Sequence, residues 1–202
     1  MSPSSVARCR PLLVVVTGIA LAGCVPFVTL PYYRPQAVEG RIAEANCPPA
    51  KSVWLFERDG IVVGARAEKR GDGMSIHMYF DVPAGKSAKL LSPNVEAMTP
   101  DGTIWKGALS GSVMVSHGRT RKLEPGELLT GANRGLFGAG YSPYVGATRN
   151  ELYWFTACIN ASQTEELVVR LPPFLVNGVE QSVPEIVFRS DSEFHWIMPL
   201  NC

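Results

Sequence analysis

Residues 74–82, MSIHMYFDV, alternate without a break: Met74, Ile76, Met78, Phe80 and Val82 fall on one side, Ser75, His77, Tyr79 and Asp81 on the other. Successive side chains of a strand point to opposite faces, so this period of two describes a strand with one buried face, which a second layer must cover. The flanking sequence supplies matching punctuation. SVWLFER and IVVGARAEK are separated only by Asp59-Gly60, a pair that supplies the positive φ a type I′ hairpin requires. Asp101-Gly102 separates NVEAMTP from TIWKGAL, and Asn177-Gly178 separates PPFLV from VEQSVPEIVFR, repeating the same turn chemistry.

The last third continues with ELYWFTACI, TEELVVRLP, EIVFRS and EFHWIMPL, short runs rich in β-branched and aromatic residues. No window carries a 3.6-residue apolar stripe with helical caps, which excludes alternating βαβ units. Short strands spaced by turns predict an all-β chain, an antiparallel immunoglobulin-like β-sandwich of about seven to nine strands. A lipocalin-like closed β-barrel is the alternative the pattern also allows.

The amino end follows a different logic. Arg8 and Arg10 precede an apolar run over residues 12–22, interrupted only by Thr17 and Gly18, and the run stops at Leu21-Ala22-Gly23-Cys24. It falls short of the roughly 18 residues a spanning helix needs, and its layout is that of a signal peptide. The four residues 21–24 resemble the lipobox of bacterial lipoproteins. That resemblance covers residues 1–24 alone and implies removal of 1–23 and a diacylglycerol thioether on Cys24, the thiol being the nucleophile that is alkylated. Two or more acyl chains, at ~0.8 kcal/mol per buried CH₂, hold a protein stably on a bilayer. Val25 stands where an Asp would favour retention at the inner membrane in such lipoproteins, so the resemblance implies an outer-membrane anchor facing the periplasm. Apart from this covalent lipid no cofactor is expected.

Residues 24–50 then read as a tether, with Pro26, Pro31, Pro35, Pro48 and Pro49 stiffening the chain. Phe27, Tyr32 and Tyr33 suit either the headgroup level or packing back on the domain. Residues 51–202 form the expected single domain, and 38–42 could already begin a strand. With 19 basic and 18 acidic residues, nothing in the charge balance points to nucleic acid. Once Cys24 is lipidated, Cys47, Cys158 and Cys202 compete in an oxidising compartment for at most one internal bridge. Cys158 lies in an apolar run and reads as a small buried hydrophobe. Cys47 with Cys202 is therefore the expected pair, although the spacing leaves the other pairings open.

Catalytic and metal patterns are not found. His77, His117 and His195 show neither i, i+4 spacing nor H-E-x-x-H, and no cysteine pair has zinc spacing, so no metal ligand is named. His77, on the polar side of its strand, reads as solvated. The serines near glycine lack the G-x-S-x-G order, and GLFGAG lacks the spacing of a phosphate-binding turn. The departure from strand rhythm is the segment 117–150, which holds seven glycines among basic and aromatic residues. It reads as a long insertion, with Arg134, Phe137, Tyr141 and Tyr144 as partner-binding residues, because arginines and rigid aromatics dominate recognition surfaces. Replacing 118–148 by a short linker is expected to spare folding. The functional expectation is a non-enzymatic binding or structural module with an envelope protein partner. The alternative is an envelope hydrolase, or an inhibitor or immunity-type lipoprotein, acting through 117–150.

Overall fold

The computed structural model describes residues 27–36, 39–44, 52–116, 119–132, 140–142, 146–148, 150–161 and 164–196. The chain divides into a large unit, Leu30–Glu193, and a small one made of Met1–Thr29 and Phe194–Asn201. Among the described residues the small unit contributes only strand residues 27–29 and 194–196, and the large unit carries everything discussed below.

Among the described residues the chain is entirely strand and turn. In order it forms β1 (Phe27–Gln36), β2 (Arg41–Glu44), β3 (Ser52–Arg58), β4 (Ile61–Arg70), β5 (Gly73–Val82) and β6 (Ser87–Leu90). There follow β7 (Asn94–Met98), β8 (Ile104–Ala108), β9 (Ser110–Ser116), β10 (Arg119–Lys122), β11 (Leu129–Thr130) and β12 (Gly140–Ser142). The last are β13 (Gly146–Thr148), β14 (Glu151–Ile159), β15 (Glu166–Arg170), β16 (Phe174–Val176), β17 (Val179–Gln181) and β18 (Ile186–Trp196).

These strands pair into a seven-stranded sheet, β10-β9-β14-β5-β4-β3-β2, a five-stranded sheet, β1-β18-β15-β7-β8, a four-stranded sheet, β11-β6-β16-β17, and the β12-β13 hairpin. The ladders of the larger sheets whose registers are defined are antiparallel. The all-β, sandwich-like packing expected from the alternation is present. The strand number is higher than seven to nine: six of the eighteen described strands lie in the segments read as a tether and an insertion, and the rest of the chain carries twelve.

β5 lies at the centre, paired with β4 and, over nine positions from Glu151↔Val82 to Ile159↔Met74, with β14. Its Met74, Ile76, Met78, Phe80 and Val82 are all buried, as their period of two requires. They meet Leu167 and Val169 of β15, Val95 and Ala97 of β7, Phe174 and Val176 of β16, and Ile186 and Phe188 of β18 in one apolar core. Phe80 sits edge-on to both Phe155 and Phe174, with centroids 5.9 and 5.3 Å away, an arrangement that places the positive ring edge against the negative face. The other face of β5 is not solvated either: Ser75, Tyr79 and Asp81 are buried. Tyr79 belongs to a second apolar cluster with Ala43, Val53, Leu55 and Leu152 on the outward side of the same sheet.

Turn chemistry explains the hairpins. Asp59 (φ 49°) and Gly60 (φ 72°), then Asn177 (φ 49°) and Gly178 (φ 83°), are left-handed at both central positions, as a type I′ turn demands. Asp101-Gly102 is built otherwise. Only Gly102 has positive φ there, and the Asp101 carboxylate accepts from the Thr99 hydroxyl, the Thr103 amide and the Thr103 hydroxyl. Those bonds hold Asp101 below its ordinary pKa, the Thr99 bond most.

The stretch expected to stand the domain off from a membrane is strand in part. β1 is a terminal strand of the five-stranded sheet, where Pro31 and Pro35 cost no central ladder bond. Tyr33 enters the main core and its hydroxyl donates to the Thr164 carbonyl at 2.6 Å, while the Tyr32 hydroxyl bonds Asp191. Of the two readings for these tyrosines, packing on the domain is the one realised.

The segment 117–150 is no simple insertion. Leu123 and Leu129 are 4% and 1% exposed within the main core. Tyr153 adds a clamp, its hydroxyl accepting from the Thr130 amide at 3.1 Å and donating to the Thr130 carbonyl at 2.7 Å. Replacing 118–148 by a linker would remove Leu123, Leu129 and the Thr130 partner of Tyr153, which weighs against the expectation that folding would be spared.

The expected disulfide is also corrected. No disulfide is present among the described residues, and Cys158 is a free, exposed thiol. It is not the buried hydrophobe its apolar neighbours suggested, because on β14 the residues 153, 155, 157 and 159 take the core side and leave Cys158 on the other. There it faces the Ser75 hydroxyl and the Arg70 guanidinium rather than a second sulfur. Cys47 and Cys202 lie outside the described residues, as does Cys24.

Candidate functional site

An apolar crevice of about 210 Å³ opens between the β9-β10 side of the seven-stranded sheet and the segments around β6 and β11. Its apolar lining comes from Leu90, Pro93, Leu109, Leu123, Leu129 and Phe155, and its rim from the segment 122–127. Gly111 lets two of the lining side chains pack directly on the backbone of β9: a Cβ there would come within 2.5 Å of the Phe155 ring and 2.9 Å of Leu123, so any larger side chain would displace them. Leu109, the single residue between β8 and β9, carries the chain from one sheet to the next and is pinned by its amide to the Pro93 carbonyl at 2.7 Å.

The rim is electrostatically ordered. Arg121 reaches both oxygens of Glu127, at 3.0 and 2.6 Å, and also donates to the Lys122 carbonyl. Glu127 in turn accepts from the Glu124 amide. The Arg121 bond, with that amide, holds the Glu127 carboxyl down at about 2. Such a bidentate pair has fixed geometry, so the wall of the crevice is braced. The Arg121 contact to the Lys122 carbonyl also blunts the outer edge of β10, a terminal strand that would otherwise offer a free backbone.

A second constellation lies on the outward face of the same sheet. His77 Nδ1 is 3.1 Å from the Thr156 hydroxyl, its cross-strand partner on β14. His77 Nε2 is 3.1 Å from Glu68 Oε2, though off the line of a strong hydrogen bond, and Arg66 takes the other Glu68 oxygen at 3.1 Å. The His77 bond, joined by the Arg66 charge and opposed by burial, lowers the Glu68 pKa. Hydroxyl, imidazole and carboxylate stand in the order a nucleophilic relay uses. One row further on are Ser75, Cys158 and Arg70, with Arg70 3.5 Å and Ser75 3.8 Å from the sulfur. His77 is half-buried and bonded, not the solvated side chain its alternation suggested.

Arg134, Phe137 and Tyr144 lie outside the described residues, as does His117. Tyr141 and His195 are placed only as backbone positions of β12 and β18. The crevice residues were missed because they come from five separate stretches of chain and each reads as ordinary core. The one legible signal was Gly111, an unforced glycine inside a strand pattern, which often marks close approach by another group. Among the described residues no three His, Cys, Asp or Glu side chains could hold a metal ion together, and no helix is long and apolar enough to cross a membrane.

Fold and site together describe an all-β, sandwich-like protein with a side-chain-sized apolar crevice at the edge of its layers. The chain matches no protein-family model, no curated protein and no solved structure.

Proposed function

We propose that this is a lipid-anchored cell-envelope protein of the periplasmic face of the outer membrane, acting as a non-enzymatic binding module through the crevice lined by Leu90, Leu109, Leu123 and Leu129. The crevice carries the binding half of the proposal. Apolar side chains line it beneath a rim that carries Lys122, Glu124 and Glu127, a mixture common in small-ligand sites, and at about 210 Å³ it exceeds the ~150 Å³ that suffices to bind benzene. The lipobox at residues 21–24 supports the anchor. An envelope protein presenting an apolar side chain is the expected partner, and the residues that brace the site, 121–129, fall inside the segment 117–150.

Saturable binding of benzene or indole to the full-length mature chain, followed by NMR shifts at Leu109 and Leu123, tests the site. The Leu109→Trp variant should abolish it by filling the crevice, and absence of saturable binding at millimolar probe would remove the crevice as a site. For the anchor, Cys24→Ser should leave the precursor uncleaved or release the protein from membranes. Normal processing and continued membrane retention of that variant would sink it. A second reading, an envelope hydrolase, is favoured by the Thr156–His77–Glu68 order. Hydrolysis of acyl esters that disappears in Thr156→Val would replace the first reading.

A further inference from the structure

An antiparallel sheet that meets water on one side carries polar side chains there, and the outer side of the five-stranded sheet breaks that rule along one row. Val168 stands opposite Val187 on β18 and Met98 on β7, and Met98 stands opposite Ile104 on β8. Their strand neighbours Leu167, Val169, Ala97, Ile186 and Phe188 are buried in the main core, so the row itself faces outward. None of the four is buried, and Ile104 is 51% exposed. LVV at 167–169 and IVF at 186–188 are thus apolar on both faces, as strands covered from both sides are. Beside this row runs a charged one that alternates in sign: Glu185, Arg170, Glu96, Lys106. Arg170 bonds Glu185 at 2.6 Å, Lys106 bonds Glu96 at 2.8 Å, and Arg170 lies 4.0 Å from Glu96. The four side chains are still 34–69% exposed.

We propose that this outer face docks a second copy of the chain, at a site separate from the crevice. The order of signs selects the occupant. A copy laid face to face about a two-fold axis that runs along the strands, between β15 and β7, presents the same row in reverse. Glu185 then meets Lys106 of the second copy and Arg170 meets its Glu96, each contact occurring twice as a self-complementary interface requires. The same rotation lays Val168 on Met98 of the second copy and Val187 on its Ile104, which covers the apolar row. A partner of uniform charge would be repelled by half of the charged row. Four strands about 4.8 Å apart and five residues long offer on the order of 300 Å² of flat footprint, short of the ~800 Å² per partner of a standard interface. The contact is therefore weak and reversible, formed at high local concentration.

Sedimentation equilibrium of the full-length mature chain bearing Cys24→Ser, so that no lipid contributes, tests this at about 0.1–1 mM protein, the regime of a small interface. The chain should form dimers, and Arg170→Glu or Glu96→Arg alone should weaken them about tenfold or more, because like charges then face one another twice. An equimolar mixture of the two variants should dimerise as tightly as the unaltered chain, since each reversed charge meets its opposite on the other copy. Both side chains are surface-exposed, so the variants keep the fold, and the mixture reads the pairing itself. A chain that stays monomeric at about 1 mM, reversals that leave dimerisation unchanged, or a mixture no tighter than either variant by itself overturns the proposal.

Discussion

The ring of Tyr79 lies flat across the backbone of Gly64, its cross-strand partner on β4. A Cβ at residue 64 would stand 2.1 Å from Cε1 of the ring and 2.2 Å from Cζ, where no real contact can exist. Gly64→Ala must therefore displace a side chain that is 2% exposed and rests against Trp154 with centroids 5.3 Å apart. Overpacking of this kind costs about 1–3 kcal/mol, and the loss of the aromatic pair adds roughly 0.5–1.5 kcal/mol. The intrinsic preference for alanine over glycine in a strand returns about 0.5–1 kcal/mol. The net loss, roughly 0.5–4 kcal/mol and centred near 2 kcal/mol, lowers Tm by about 4–8 °C at that centre in a domain of this size. The diagnostic step is a cycle with Tyr79→Val, in which the ring is gone and the added methyl meets no obstacle. There Gly64→Ala should be neutral or slightly stabilising, leaving a coupling of about 2 kcal/mol between the two positions in urea denaturation. If Gly64→Ala costs the same with and without the ring, the close approach is not what makes residue 64 a glycine.

Other outcomes follow from the same geometry. Tyr153→Phe leaves the Thr130 amide and carbonyl without their shared partner and should cost about 1–3 kcal/mol in urea denaturation, more than Tyr33→Phe, which loses one bond to Thr164. Replacing 118–148 by a linker removes Leu123 and Leu129 from the core, at about 2–5 kcal/mol each, against a total margin of about 5–15 kcal/mol; circular dichroism should show a chain that no longer melts cooperatively. The Glu68 carboxyl is held below its ordinary value, so its contribution is complete above that value and disappears as pH falls through the lower folded one. Glu68→Gln should accordingly flatten the dependence of the urea midpoint on pH on the acid side of 4.5, and an unchanged slope would show that the His77 contact does no stabilising.

How much of this could be read beforehand depends on whether the signal was local. The strand at 74–82 and the hairpins at Asp59-Gly60 and Asn177-Gly178 were legible because period and turn chemistry act between near neighbours. The sidedness of Cys158 was legible in principle from Tyr153, Phe155, Ala157 and Ile159, but the apolar character of the whole run hid it. Strands within the tether were obscured by proline, which an edge position tolerates and a central one does not. The crevice was invisible because Leu90, Leu109, Leu123, Leu129 and Phe155 are indistinguishable from other core residues until topology brings them together. His77 looked solvated because nothing local to residue 77 announces Glu68 on one neighbouring strand and Thr156 on the other.

The adjacency of β1 and β18 also has a bearing on how the chain is made. The first described strand to leave the ribosome has as its neighbour the last, and the Tyr32–Asp191 bond closes 159 residues of sequence. β5 likewise waits for β14, emitted long after it. A chain wired this way cannot complete its sheets while it is still being synthesised, and non-local pairing of this sort is slow even once the chain is free. Until β14 is made, the local β3-β4-β5 hairpins have an unpaired edge on β5 and apolar surface that invite aggregation unless they are shielded.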